Sequence, residues 1–176
     1  MFDKIKYGIS NFIIKKKLKH NRIDRQSFKD FFKNSFLFLI LMPEGEKEFH
    51  YAVEMLKWYE EQGKSIKIFT HDFRVSLLPA KYHSEVIDYN LKDVNRFYLP
   101  AKNLEAKLNG LEFDAVLDLN KEESLFNSLA ANLVKARVRV GFRKKNSDMY
   151  YNLQVVNSDN NPEMFYKNFL NCLQMF

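Results

Sequence analysis

Several things are scarce in this sequence, and each scarcity excludes a class of protein. Cys172 is the one cysteine in 176 residues, so no disulfide can form within the chain. A reducing, cytoplasmic setting is the expectation. Glycine occurs five times. No strand is followed by G-x-G-x-x-G, and no loop ends in Gly-Lys-Ser/Thr, so the usual devices for gripping nucleotide phosphates are missing. The nucleophile elbow G-x-S-x-G is missing too. Four scattered histidines and one cysteine have no metal-ligand spacing, so neither a metal nor a cofactor is expected. No apolar run approaches the ~20 residues that cross a bilayer. The longest, Phe36 to Met42, has the length of a strand. The N-terminus lacks the charged-then-apolar pattern of a secretory signal.

What is present is an ordinary globular composition, 46% apolar and 28% charged, with 17 phenylalanines. A chain of this length forms one domain that buries roughly 70% of its unfolded surface. The net charge of +6 is concentrated at one end. Residues 1–25 carry Lys4, Lys6, Lys15, Lys16, Lys17, Lys19, Arg22 and Arg25 against Asp3 and Asp24, which accounts for all of it. The remaining residues are balanced. The body therefore lacks the basic surface of a nucleic-acid-binding protein, and no specific nucleic-acid binding is expected.

Within that basic end, Phe2, Ile5, Ile9, Phe12 and Ile13 recur at helical spacing. Two readings are open. The stripe docks the helix on the body with its lysines in water, or residues 1–20 lie on an anionic membrane surface. A protein partner is a further expectation for an interaction domain. Residues 21–34 read as a short helix or linker. The division expected is a basic helical segment, 1–34, and one domain, 35–176.

Two strand–helix–strand units organise that domain. Phe36–Met42 is apolar on both faces, as in a parallel sheet covered on both sides. A turn through Pro43-Glu44-Gly45-Glu46 leads to a helix over about 47–62 with Gly63 at its C-terminal end, then a strand at Ile66–Thr70. Residues 71–84 read as a short helix or packed loop, Glu85–Tyr89 as a third strand, and Arg96–Leu99 as an edge strand. Ala101–Leu111 is helical. The second unit runs from Phe113–Asn120 through a helix within Glu122–Ala136 to Arg137–Phe142. Tyr150–Val156 reads as a further strand, and Asn160-Asn161-Pro162 starts the last helix. The fold class expected is α/β: a doubly wound, mostly parallel, Rossmann-like sheet in three layers, with strand order 3-2-1-4-5.

In such a sheet ligands bind where the strand order reverses, here between the first and fourth strands. The candidate ligand-binding residues are therefore Glu44, Gly45, Asn120, Lys121 and Arg143, and the candidate catalytic carboxylates are Glu46 and Asp118. Each also has a plain structural reading. Glu44 and Glu46 suit a helix N-terminus, and Asp118 suits accepting local hydrogen bonds. His71-Asp72 could act as a pair or make a turn.

Phe113-Asp-Ala-Val-Leu-Asp-Leu-Asn120, the helix through Leu129-Ala-Ala-Asn-Leu133, and Arg139-Val-Gly-Phe142 together resemble the N-terminal half of the bacterial lipopolysaccharide heptosyltransferases. The resemblance covers about residues 35–145. It implies half of a GT-B architecture, with Gly45-Glu46 where the family carries a Gly-Asp pair whose aspartate is thought to act as base. It also implies that the nucleotide-sugar site would belong to a second domain. The expectation is a binding or interaction domain without transferase activity of its own. The alternative is a transferase-like enzyme whose partner chain supplies the sugar-nucleotide site.

Overall fold

A computed structural model describes residues 2–19, 28–157 and 161–176, with side chains from residue 5 onward in the first helix. Arg22, Arg25, Asn160 and the side chains of Phe2, Asp3 and Lys4 lie outside these residues.

Strand β1, Leu37–Leu41, sits at the centre because both of its faces are apolar. Phe38 and Ile40 point into one core, Leu39 and Leu41 into the other, and all four are buried. The partners of β1 are β2 (Ser65–His71) and β4 (Glu112–Asp118), both parallel to it. Outside them lie β3 (Val86–Tyr89), β5 (Lys135–Phe142) and β6 (Leu153–Val155), which complete a six-stranded, all-parallel sheet. The order is β3-β2-β1-β4-β5-β6, so the direction of winding reverses between β1 and β4.

Helices cover both faces. On one lie α3 (Glu46–Glu61) and the last helix, α6 (Pro162–Gln174), packed side by side through Phe49, Leu56, Phe165 and Phe169. On the other lie α1 (Phe2–Leu18), α4 (Lys102–Asn109) and α5 (Leu125–Leu133). The short α2, Phe31–Asn34, closes the lower edge, where the Lys64 ammonium donates to the carbonyls of Phe32 and Ser35. Helix ends follow local rules. Gly63, at φ +69°, takes the left-handed conformation that ends α3. Asn161 and Ser124 cap α6 and α5 by accepting from Glu163 N and Asn127 N.

The Arg139-Val-Gly-Phe142 run acquires a separate physical reason at each position. Arg139 donates to the carbonyls of Ala131, Val134 and Ala136, each at 2.9 Å, so its guanidinium caps the C-terminal end of α5. Val140 and Phe142 fill the opposite core, with the Phe142 ring tilted against Phe165 at 4.1 Å between centroids. Gly141 has no side chain because the Tyr151 ring lies there, and an added Cβ would meet it at 3.0 Å.

Two expectations change in the structure. Arg96–Leu99 forms no edge strand. Asn95 accepts from Phe97 N and Leu99 N, which folds the segment into a turn closed by a single Val94–Pro100 bridge. Residues 71–84 keep the expected short-helix reading, as two 3-10 turns, Asp72–Leu77 and Ala80–Glu85. Helix α1 does dock on the body, through Ser10, Ile14, Leu18 and, from the expected stripe, the half-buried Ile13, while Ile5, Ile9 and Phe12 are exposed. Ser10 Oγ lies 2.7 Å from Phe97 O, and Lys17 pairs with Glu105.

Asp114, at the start of β4, accepts from Leu37 N at 2.9 Å and Phe36 N at 2.8 Å, which fixes where β1 begins. The Leu37 bond first, and the Phe36 bond with it, hold this carboxyl below the ordinary value of 3.8. A depressed pKa adds stability that is complete above the ordinary value and is lost as pH falls through the folded value. Asp114→Asn should therefore cost about 1 kcal/mol at neutral pH, the exposed site trimming the gain. In urea titrations the gap from wild type should close below about pH 4. A gap independent of pH would contradict this.

Candidate functional site

At the reversal point between β1 and β4, the two βα turns are fastened to each other. Leu119 N donates to Leu41 O. Asn120 Nδ2 donates to Met42 O at 3.2 Å, and Asn120 Oδ1 accepts from Glu44 N at 3.0 Å. On the α6 side, Tyr166 Oη donates to Leu119 O at 2.9 Å. Asn120 is buried and is used as a clasp.

Beneath it, Asp118 is fully buried. Its Oδ1 accepts from Asn120 N at 3.0 Å and Asn120 Nδ2 at 2.7 Å. Its Oδ2 accepts from Lys144 Nζ at 3.1 Å and from the Tyr151 hydroxyl. A carboxylate offers about four acceptor positions, and all are used. Tyr151 is also buried, and burial first, then the Asp118 charge, pushes its phenol well above the usual value. It therefore stays protonated and donates. The end of β4, the segment after β5 and the segment before β6 meet in this network.

Open space lies to the other side, over the ends of β1, β2 and β3 on the face carrying α1 and α5. It is a cavity of about 710 Å³, within the range of small-molecule sites. Glu44, His71, Arg74 and Ser124 supply polar atoms, and Tyr89 and Phe126 form part of an aromatic wall. Helix α1 contributes Tyr7 and Ser10, and the Phe97–Tyr98 turn stands beside them. Tyr98 has φ +55°, uncommon for a residue with a side chain, and Lys6 Nζ lies 5.0 Å from its ring.

The polar groups are held in place. Glu44 Oε1 accepts from Ser124 Oγ at 2.8 Å and Asn127 Nδ2 at 2.9 Å. Arg74 donates to the carbonyls of Pro43 and Glu44, with its guanidinium 5.2 Å from the Phe49 ring. His71 Nδ1 sits 2.6 Å from Asp72 Oδ1 but without hydrogen-bond alignment, and its ring meets Tyr89 edge-on. Burial, followed by the Glu44 charge, raises the Tyr89 phenol above its usual range. The Tyr7 hydroxyl, raised by burial and by its bond to Glu123, closes one side.

Of the sequence-predicted site residues, Glu44 lines this cavity. Gly45 is the N-cap of α3, and Glu46 is exposed in its first turn. Asp118 and Asn120 belong to the buried clasp. Lys121 is exposed and lies over the Phe165 ring at 5.1 Å, and Arg143 is exposed beyond β5. The cavity wall from Arg74, Tyr89, Phe126 and α1 was not anticipated. The signal available was modest: polar or aromatic residues at the ends of β2 and β3, and Tyr7 and Ser10 on a face of α1 that the apolar stripe does not use. Among the described residues no cluster of His, Cys, Asp and Glu is placed to hold a metal ion.

The clasp makes a quantitative prediction. Asp118→Asn preserves size but leaves Lys144, 7% exposed, facing no charge. Breaking one partner of a buried pair costs roughly 3–5 kcal/mol, readable in chemical denaturation. A change within ~0.5 kcal/mol, the ordinary surface effect, would show that the carboxylate is not structural.

No protein-family model matches this sequence, and no curated protein matches it. A likeness does appear among solved structures. The chain is similar to E. coli heptosyltransferase WaaC, solved with ADP-2-deoxy-2-fluoro heptose, with a TM-score of 0.57 at 16% sequence identity. The match covers 79% of this chain and 49% of that one, so the chain spans about half the length of that enzyme. At this identity the likeness is one of fold: a Rossmann-like, glycosyltransferase-like sheet of half the size.

Proposed function

We propose that this chain is a binding domain for a small hydroxylated ligand of the sugar or sugar-phosphate class, without transferase activity of its own. The observation that carries this is the contrast between the two ends of the site. The carboxylate at the reversal point has every acceptor position engaged, whereas the neighbouring 710 Å³ cavity holds fixed polar atoms in an aromatic wall. The apolar face of a sugar ring packs on aromatic side chains, and its hydroxyls donate to carboxylates such as Glu44. A phosphate would be met by Arg74, already oriented by two carbonyls.

A second reading is a transferase-like enzyme whose partner chain brings the sugar nucleotide. It is favoured by the likeness to about half of an enzyme solved with a nucleotide sugar. Glu46, exposed at the start of α3, would then serve as base.

Thermal unfolding against a panel of sugars, sugar phosphates and nucleotide sugars tests the first reading. A ligand at 100 times its Kd adds about 2.7 kcal/mol, a rise in Tm of roughly 5–10 °C for a chain of this size. Glu44→Gln should weaken binding about tenfold or more, since a bond to a charged acceptor contributes ~1.5–3 kcal/mol. Turnover of a nucleotide sugar by the purified chain alone, abolished by Glu46→Gln, would overturn it.

A further inference from the structure

Helix α1 presents two opposite faces, and each has its own character. At about 100° per residue, Ser10, Ile14 and Leu18 share one sector, and these three are buried. Ile5, Ile9 and Phe12 occupy a sector roughly 170° away. They are 56%, 40% and 69% exposed. A helix that had docked to hide its apolar stripe would be turned the other way. Instead the body holds it by Ser10, by Ile14, Leu18 and the half-buried Ile13, and by the Lys17–Glu105 pair, and Ile5, Ile9 and Phe12 are left outside.

The charges on α1 divide in the same manner. Lys6 and Lys17 are used on the body, over Tyr98 and on Glu105. Lys15, Lys16 and Lys19 are exposed at the C-terminal end of the helix, beside or within the sector of the stripe. An exposed apolar stripe bordered by lysines is complementary to one kind of surface. Hydrocarbon accepts the isoleucines and phenylalanine, and anionic headgroups accept the ammonium groups. The whole net charge of +6 lies in residues 1–25 of the sequence, and the described Lys15, Lys16 and Lys19 are the part of it that borders the stripe.

We infer that the outward face of α1 is a docking surface for an anionic lipid bilayer, with the helix lying in the plane of the headgroups. Its other face contributes Tyr7 and Ser10 to the cavity, so the docking face and the cavity share one helix. The inference stands on α1 alone and does not depend on what the cavity binds.

Co-sedimentation of the full chain with phosphatidylcholine vesicles, with and without phosphatidylglycerol, tests it. Binding should require the anionic lipid and weaken as salt is raised. Lys15→Gln, Lys16→Gln and Lys19→Gln together should reduce affinity on the order of 100-fold, and Ile9→Ser with Phe12→Ser should reduce it by at least tenfold. Tm should be unchanged in both variants, because every altered side chain is exposed. Equal binding to neutral and anionic vesicles, or no binding to either, would overturn the inference. So would a concentration-dependent dimer that Ile9→Ser with Phe12→Ser dissociates, since a second copy of the chain would then cover the stripe.

Discussion

The carboxylate of Asp118 receives four donors in a place with no access to water, and those donors come from three parts of the sheet's upper edge. Removing a charged carboxylate from water is costly unless every acceptor position is met. That requirement dictates much around it. Lys144 must reach back from beyond β5. Tyr151 must lie flat over β5, which is possible because Gly141 has no side chain. Asn120 must turn back toward Asp118, and in doing so its amide group meets Met42 O and Glu44 N. The joining of the first and fourth strands thus follows from satisfying one buried charge.

The same constraint decides where a ligand has room. With the reversal point fastened, the unfilled volume moves toward β2 and β3 and under α1. Glu44 connects the two regions. Its backbone N–H belongs to the clasp, and its carboxylate faces the cavity alongside Ser124 and Asn127. The turn after β1 is therefore rigid where it meets the clasp and chemically available on its other side, as binding sites on a firm scaffold require.

The architecture was largely legible in the residues. A doubly wound parallel sheet follows from Phe36–Met42 being apolar on both faces and from two strand–helix–strand units, and the structure has that sheet with a sixth strand added by Leu153–Val155. Chain punctuation was equally plain at Gly63 and at Asn161-Pro162. Arg96–Leu99 misled because its aromatic residues are those of a strand, while Asn95 folds them into a turn. The orientation of α1 was hidden for a different reason. Periodicity identifies an apolar stripe but not what covers it, and here Ser10, Ile14 and Leu18 did the docking with Ile13 alone from the stripe. Which carboxylates meet solvent was likewise beyond the pattern, since Asp118 closes β4 and Glu44 lies in the turn after β1, and they differ in the donors that the fold brings to them.

A ligand that enters the cavity beside the clasp should leave the clasp itself undisturbed. Backbone amide shifts recorded by NMR during titration with a sugar phosphate test it most directly. Shifts should group at Thr70–Arg74, Tyr89, Ser124–Phe126 and Tyr7–Ser10, with Asp118–Lys121 and Arg143–Lys145 unmoved. The largest shifts at Asp118–Lys121 and Arg143–Lys145 would contradict it.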